Sequence, residues 1–205
     1  MKYIYLSILV FIFMISITGC TSSNAPNDKT TPQESPILAS IQSTPTIEWV
    51  PDGIITSGEY LGSENYGSCV IYWRSDSQYI YIGMTAETSG WLAIGIQPGS
   101  RMNNADMIMG TVINGKTEVQ DQFSTGDFGP HRIDTELGGT DDIQAFSGKE
   151  ESSKTTIEFK RAFVTNDKYD ISFTKGANKI IWSYGASDKT ELKHSTRGYG
   201  AIIIP

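Results

Sequence analysis

The chain has 205 residues, and its 16 basic and 23 acidic side chains give a formal net charge of −7 at pH 7. An acidic surface repels phosphate backbones and anionic lipid headgroups, which argues against a nucleic-acid partner. Hydrophobic residues make up 39% of the chain, and its length suits one domain with a full core.

The first 19 residues show the features of a secretory signal in the expected order. Lys2 supplies a positive charge, residues 4–17 are almost wholly apolar, and Ile17-Thr-Gly-Cys20 matches a lipobox. The apolar run is shorter than the about 20 residues that a membrane-spanning helix needs. We therefore predict export, cleavage before Cys20 and a lipid anchor on Cys20, which places the protein at the outer face of the cytoplasmic membrane, in the periplasm or at the cell surface. An uncleaved N-terminal anchor is the alternative.

Residues 20–46 are rich in Ser, Thr, Pro, Asn and Gln and contain no aromatic residue. Such a composition cannot bury enough apolar surface to offset the entropy of ordering, so it predicts a disordered tether. Residues 47–205 are then the folded domain. Cys69 is the only cysteine besides Cys20, so we expect no intramolecular disulfide in the lipidated protein. Its apolar neighbours favour a small buried side chain.

Short segments rich in β-branched and aromatic residues follow one another through the domain, and none sustains a helical hydrophobic pattern. Turn residues separate them, and Asp76-Ser-Gln78 and Asn114-Gly115 favour tight hairpins. Ile157 and Phe159 are expected on one face of their strand. The predicted strands are residues 70–74, 79–85, 90–97, 106–113, 116–122, 155–163, 179–184 and 201–204. This pattern predicts an all-β protein, an immunoglobulin-like antiparallel β-sandwich of two sheets.

Two loops of the predicted sandwich each carry a residue that can bind haem iron. Met102 lies between the third and fourth predicted strands, and His194 lies between the last two. If successive strands alternate in direction, these two loops and the long loop 123–154 fall at the same end of the sandwich. That arrangement would allow Met102 and His194 to converge.

Five segments, taken in order, resemble the DOMON domain family across essentially the whole domain. They are Gly90-Trp91-Leu-Ala-Ile-Gly95-Ile, Met102-x-x-Ala105-Asp106-Met-Ile-Met-Gly110, Ile157-Glu-Phe-Lys-Arg161 followed by Asn166-Asp167, Ile181-Trp182-Ser-Tyr184-Gly185, and His194-x-x-Arg197-Gly198. The resemblance implies a β-sandwich. For the cytochrome members of the family, it also implies a b-type haem held between a Met and a His.

The resemblance assigns Met102 and His194 as the axial ligands of the haem iron. A Met/His pair gives six-coordinate iron with a raised potential, which suits electron transfer. The chain has no Cys-x-x-Cys-His motif, so the haem would be non-covalent. The candidates for the aromatic pocket, each equally suited to an ordinary core, are Tyr72, Trp91, Phe128 and Trp182. Arg101 and Arg197 are candidates for pairing with the haem propionates.

Other polar residues give weaker signals. His131 is expected either to be an alternative ligand or to support its loop, and its replacement is expected to change little. Asp141-Asp142 lacks further oxygen ligands at regular spacing, so it is weak evidence for a calcium site. No combination of a nucleophile, a histidine and a carboxylate is apparent, and we expect no enzyme.

We therefore predict a membrane-tethered b-type cytochrome domain that exchanges electrons with a redox partner protein. The first alternative is a haem-free lipoprotein of the same fold that binds a sugar or another small ligand on exposed Trp and Tyr side chains. The second is an accessory domain of a larger surface complex.

Overall fold

The computed structural model describes residues 47–205. The predicted signal peptide (residues 1–19), the lipidated Cys20 and the tether (residues 20–46) lie outside the described residues and stay predictions. In the part of the chain that is described, no helix is long and apolar enough to cross a membrane.

Residues 47–205 form two antiparallel sheets that pack face to face, which confirms the predicted β-sandwich. The strands are β1 (Gly62–Asn65), β2 (Cys69–Ser75), β3 (Tyr79–Ala86), β4 (Leu92–Ile96), β5 (Asp106–Ile113), β6 (Lys116–Phe123), β7 (Arg132–Ile133), β8 (Ile143–Glu151), β9 (Lys154–Ala162), β10 (Gly176–Tyr184) and β11 (Thr196–Ile204). A four-residue helix, α1 (Asp134–Leu137), follows β7. The five-stranded sheet has the order β1-β2-β3-β9-β8, and the six-stranded sheet has the order β11-β10-β4-β5-β6-β7.

The main core lies between the two sheets and is formed by alternate side chains of each strand. Ile157 and Phe159 of β9 are both fully buried there, as the alternation of their strand predicted. Cys69 of β2 is also buried in this core, and desolvation raises the pKa of its thiol to about 12. Cys69 therefore behaves as a small apolar side chain rather than as a reactive thiol.

Every predicted strand coincides with an observed one, and both predicted hairpins are present. Asn114 and Gly115 connect β5 to β6 with φ angles of 52° and 76°, the left-handed pair that a type I′ turn requires. The predicted long loop 123–154 was wrong in part, because it contains β7, α1 and β8. β1 was not predicted either.

The prediction that the loops of Met102 and His194 leave the same end of the sandwich was also wrong. Ile96 at the end of β4 lies opposite Ile180, whereas Tyr184 at the end of β10 lies opposite Leu92. The two loops therefore leave these paired strands at opposite ends. The physical reason is the unpredicted strand β8, which pairs antiparallel with β9. It adds one reversal of chain direction between β6 and β9, so β9 and the strands after it run opposite to the predicted directions.

Candidate functional site

The outer face of the six-stranded sheet, which points away from the other sheet, carries a second apolar cluster. All residues of β4, and all of β5 except Ile113, are buried, so both faces of these strands are covered. The cluster consists of Trp91, Ala93, Ala105, Met107 and Met109, with Ile181 packed against it. We call this set the outer apolar cluster. It lies beside the origins of the loops that hold Met102 and His194.

The loop of Met102 packs on residues 124–131, the segment that follows β6. The guanidinium carbon of Arg101 lies 4.2 Å from the centroid of the Phe128 ring. The Ser100 hydroxyl donates a hydrogen bond to the Asp127 carboxylate, with 3.2 Å between Oγ and Oδ2. These contacts join the loop that leaves β4 to the loop that leaves β6.

The loop 124–131 is in turn close to the segment that holds His194. Burial, and then the nearby charge of His194, lower the pKa of His131 to about 4. Burial and then the charge of Arg197 lower the pKa of His194, whose Nε2 lies 3.4 Å from Nη1 of Arg197. Both imidazoles are therefore neutral at pH 7, which is the form that binds a metal. Met102, His131 and His194 lie on three loops connected in this way.

Of the aromatic candidates for a haem pocket, Trp91 is the one in the outer apolar cluster. Among the described residues, its Nε1 has no hydrogen-bond partner, although it is buried. Phe128 is 71% exposed, so it belongs to a loop surface rather than to a buried pocket.

The other two aromatic candidates lie in different parts of the sandwich. Trp182 points into the main core, where its ring stacks on Tyr66 with 5.4 Å between centroids. Tyr72 lies on the outer face of the five-stranded sheet, with its ring 5.8 Å from that of Tyr60. The alternation of side chains along β10 and β2 sets both positions, and neither residue shares a face with Trp91.

The donors on the three loops fit a haem chemically. Met102 offers a soft thioether, and His194 offers a neutral imidazole. Arg101 and Arg197 are cations that suit propionates. The unpartnered Trp91 Nε1 is a polar atom for which a ligand could supply the acceptor.

Sequence reasoning missed a second group of polar residues, at the end of the sandwich where β5 begins. Asp106, Asp121 and Asp170 are buried together around Arg161, whose Nη1 lies 2.6 Å from Oδ2 of Asp106. Asp106 and Asp121 are at strand positions whose side chains point into the sandwich. A charged residue at an inward strand position is unusual, and it is the one signal in the sequence that could have indicated this group.

The fold and the matching segments define a class of protein, the DOMON β-sandwich. The DOMON domain family matches residues 65–185, and the chain belongs to this family. DBH-like monooxygenase protein 1 of Mus musculus is 28% identical over 125 residues, which cover 61% of this chain and 20% of that protein. DBH-like monooxygenase protein 2 of Mus musculus is 26% identical over 133 residues, which cover 63% of this chain and 20% of that protein. The chain thus spans about a fifth of the length of these relatives.

Among solved structures, the cytochrome b domain of pyranose dehydrogenase from Coprinopsis cinerea resembles this fold. The TM-score is 0.50 at 14% sequence identity, and the match covers 65% of this chain and 75% of that domain. At this level of identity the resemblance shows a shared fold.

Proposed function

We propose that this protein is an exported, membrane-tethered electron carrier that binds haem b through Met102 and His194. The supporting observation is a series of contacts: the loop of Met102 packs on residues 124–131, and His131 in that segment is close enough to His194 for their charges to interact. The solved cytochrome b domain with the same fold is consistent with this proposal.

The chain's own residues have distinct tasks in this proposal. His194 binds iron as a neutral imidazole, and Met102 adds a soft ligand that favours ferrous iron. A haem with this ligand pair supplies one-electron transfer when it is bound. Arg101 and Arg197 neutralise propionates, and the outer apolar cluster excludes water from the macrocycle.

The partner in electron transfer is proposed to be a protein with a basic docking surface. The chain is acidic, with a net charge of −7, and complementary charge speeds the encounter of two proteins. A tether at residues 20–46 would let the domain move between partners while Cys20 holds it at the membrane. The monooxygenase names of the relatives belong to proteins about five times as long as the matched segment, and we propose a carrier rather than an enzyme.

Single substitutions of the two proposed ligands test the proposal. His194→Ala is expected to weaken haem binding by more than about 100-fold, since it removes the stronger bond to iron. Met102→Ala is expected to retain haem but to lower its reduction potential, because the ferrous state loses its soft ligand. Haem titration and spectroelectrochemistry measure these two effects.

His131→Ala is the matched control, since it removes the other neutral imidazole of the same three loops. It is expected to leave the haem spectrum and the potential close to those of the wild type. If His131→Ala lost haem and His194→Ala retained it, the iron ligand would be His131 rather than His194. An unchanged spectrum in both Met102→Ala and His194→Ala would contradict haem binding at this site.

A second candidate function, binding of a sugar, has a specific observation in its favour. A groove of about 380 Å³ is lined by Tyr60 and Tyr72, by the apolar side chains of Ile55 and Leu61, and by small and hydroxyl-bearing residues between positions 56 and 63. Tyrosine rings beside hydroxyl-bearing side chains suit a sugar ring. Glycan binding by a haem-free preparation, lost in Tyr72→Ala, would favour this candidate.

A further inference from the structure

A group of carboxylates is buried at the end of the sandwich where β5 begins and β6 ends. One oxygen from each of Asp106, Asp121 and Asp170 lies within 4.8 Å of the others. Asp106 is fully buried, Asp121 is 1% exposed, and the side chain of Asp170 is 2% exposed. We propose that these three carboxylates form a binding site for a divalent cation, calcium. This proposal does not rest on haem binding.

Each of the two strand aspartates has one oxygen held in place and one oxygen free. Oδ2 of Asp106 accepts hydrogen bonds from Nη1 of Arg161 at 2.6 Å and from the Ile171 amide at 2.8 Å. Oδ2 of Asp121 accepts one from the Asp142 amide at 2.9 Å. Within residues 47–205, Oδ1 of Asp106 and Oδ1 of Asp121 have no hydrogen-bond partner. Buried oxygens without partners are costly, and a bound cation would satisfy them.

A bound cation would allow the carboxyls of this cluster to be ionised together. Asp134 is fully buried, it is close enough to Asp170 and Asp106 for their charges to act on it, and both its oxygens lack a partner among the described residues. In the same part of the chain, Arg161 is the one basic side chain that pairs with the group, at 2.6 Å from Asp106 and 3.5 Å from Asp170. With all four carboxylates ionised, one guanidinium would leave three negative charges, and a divalent cation would offset two of them. Without a cation, burial and then Asp170 raise the pKa of Asp121 to about 8, so this carboxyl keeps its proton at pH 7, and a bound cation would displace that proton.

The geometry and the donor atoms suit calcium. Calcium binds oxygens at about 2.3–2.6 Å, so two oxygens on one ion can be no more than about 5 Å apart, and the 4.8 Å limit satisfies this condition. Carboxylates are hard donors that select calcium or magnesium over transition metals. The ligands come from β5, β6 and the segment before β10, and calcium tolerates such irregular geometry better than magnesium does.

Calcium titration of the purified protein tests the proposal after bound metal has been removed with EGTA. Isothermal titration calorimetry is expected to show one calcium ion per chain. At 100 times the dissociation constant, calcium is expected to raise the thermal midpoint by about 5–10 °C, because it binds only the folded state. Magnesium at the same concentration is expected to raise it less.

Asp121→Asn and Asp170→Asn each remove one ligand charge at nearly constant volume. Both are expected to reduce calcium affinity by at least about tenfold, and in EGTA both are expected to be at least as thermostable as the wild type. Asp188→Asn is the control. It removes the same charge from the segment that follows β10, at the opposite end of the sandwich, and it is expected to bind calcium like the wild type.

The wild-type titration alone decides the proposal if a variant does not fold. Absence of both binding heat and a thermal shift with millimolar calcium would overturn it. Wild-type affinity in both ligand variants, or a larger shift with magnesium than with calcium, would also overturn the assignment.

Discussion

His131 and His194 are two imidazoles that the fold keeps uncharged near neutral pH. Burial is the larger cause for both, and a nearby positive charge adds to it, from His194 at His131 and from Arg197 at His194. A neutral imidazole is the form that binds a metal, which the proposed role of His194 requires.

The pKa of His131 leads to a prediction about the pH dependence of stability. The unfolded chain binds a proton at this histidine below about pH 6.5, whereas the folded protein does so only near pH 4. Because the unfolded chain binds this proton more readily, protonation of His131 lowers the free energy of unfolding as the pH falls from 7 to 4. Relative to His131→Gln, the wild type should lose about 2 kcal/mol over this range, as measured by urea unfolding at several pH values. Parallel pH profiles of the two proteins would rule out a buried neutral His131.

At the residue scale, sequence motifs located the proposed iron ligands but not their aromatic surroundings. Met102 and His194 were predicted from short local patterns, which depend only on neighbouring residues. Whether the side chain of Tyr72, Trp91 or Trp182 lies on the same side of a sheet as the proposed ligands depends on which strands pair. Strand pairing is a property of the whole sheet. The aspartate cluster escaped prediction for the same reason, since its members come from three separate elements.

At the element scale, the strands that the sequence predicted are those with the most apolar sequences. β4 is buried on both faces, and β9 is buried over most of its length. Strands that are buried in this way need apolar and β-branched residues, which are easy to recognise in a sequence. β8 is an edge strand that pairs with β9 alone, and most of its residues are exposed or half-buried. Its sequence is polar enough to resemble a loop, which explains the error in the direction of the later strands.

Gly110 of β5 allows the two sheets to approach each other. A Cβ atom at this position would lie 2.7 Å from Cγ2 of Ile157 on β9, in the opposite sheet. Gly110→Ala should therefore lower the free energy of unfolding by about 1–3 kcal/mol, as measured by chemical denaturation.

Gly126→Ala is the control for this substitution. Its added carbon would meet the Phe128 carbonyl oxygen at 3.4 Å, an ordinary contact in a loop. We expect a change within about 0.5 kcal/mol. Equal effects of the two substitutions would contradict the close approach of the sheets at Gly110.

At the scale of the whole molecule, the two proposed sites lie in different parts of one sandwich. The outer apolar cluster and its loops cover one face of the six-stranded sheet, whereas the aspartates lie inside one end. The membrane anchor is a third feature and is a prediction from residues 1–46 alone.

Cys20→Ala tests the anchor. Without this thiol the protein should not be lipidated, and it should be released from the membrane or retain its signal peptide. Membrane fractionation and mass spectrometry of the N-terminus measure both results. Unchanged membrane association with an intact Met1 would indicate an ordinary N-terminal anchor.

Haem binding between Met102 and His194 is tested most directly by titrating haem into the purified protein and recording oxidised and reduced absorption spectra. We predict saturation at one haem per chain and a low-spin, six-coordinate spectrum in both oxidation states. A protein that stays colourless with excess haem, or a spectrum that matches free haem, would contradict the assignment.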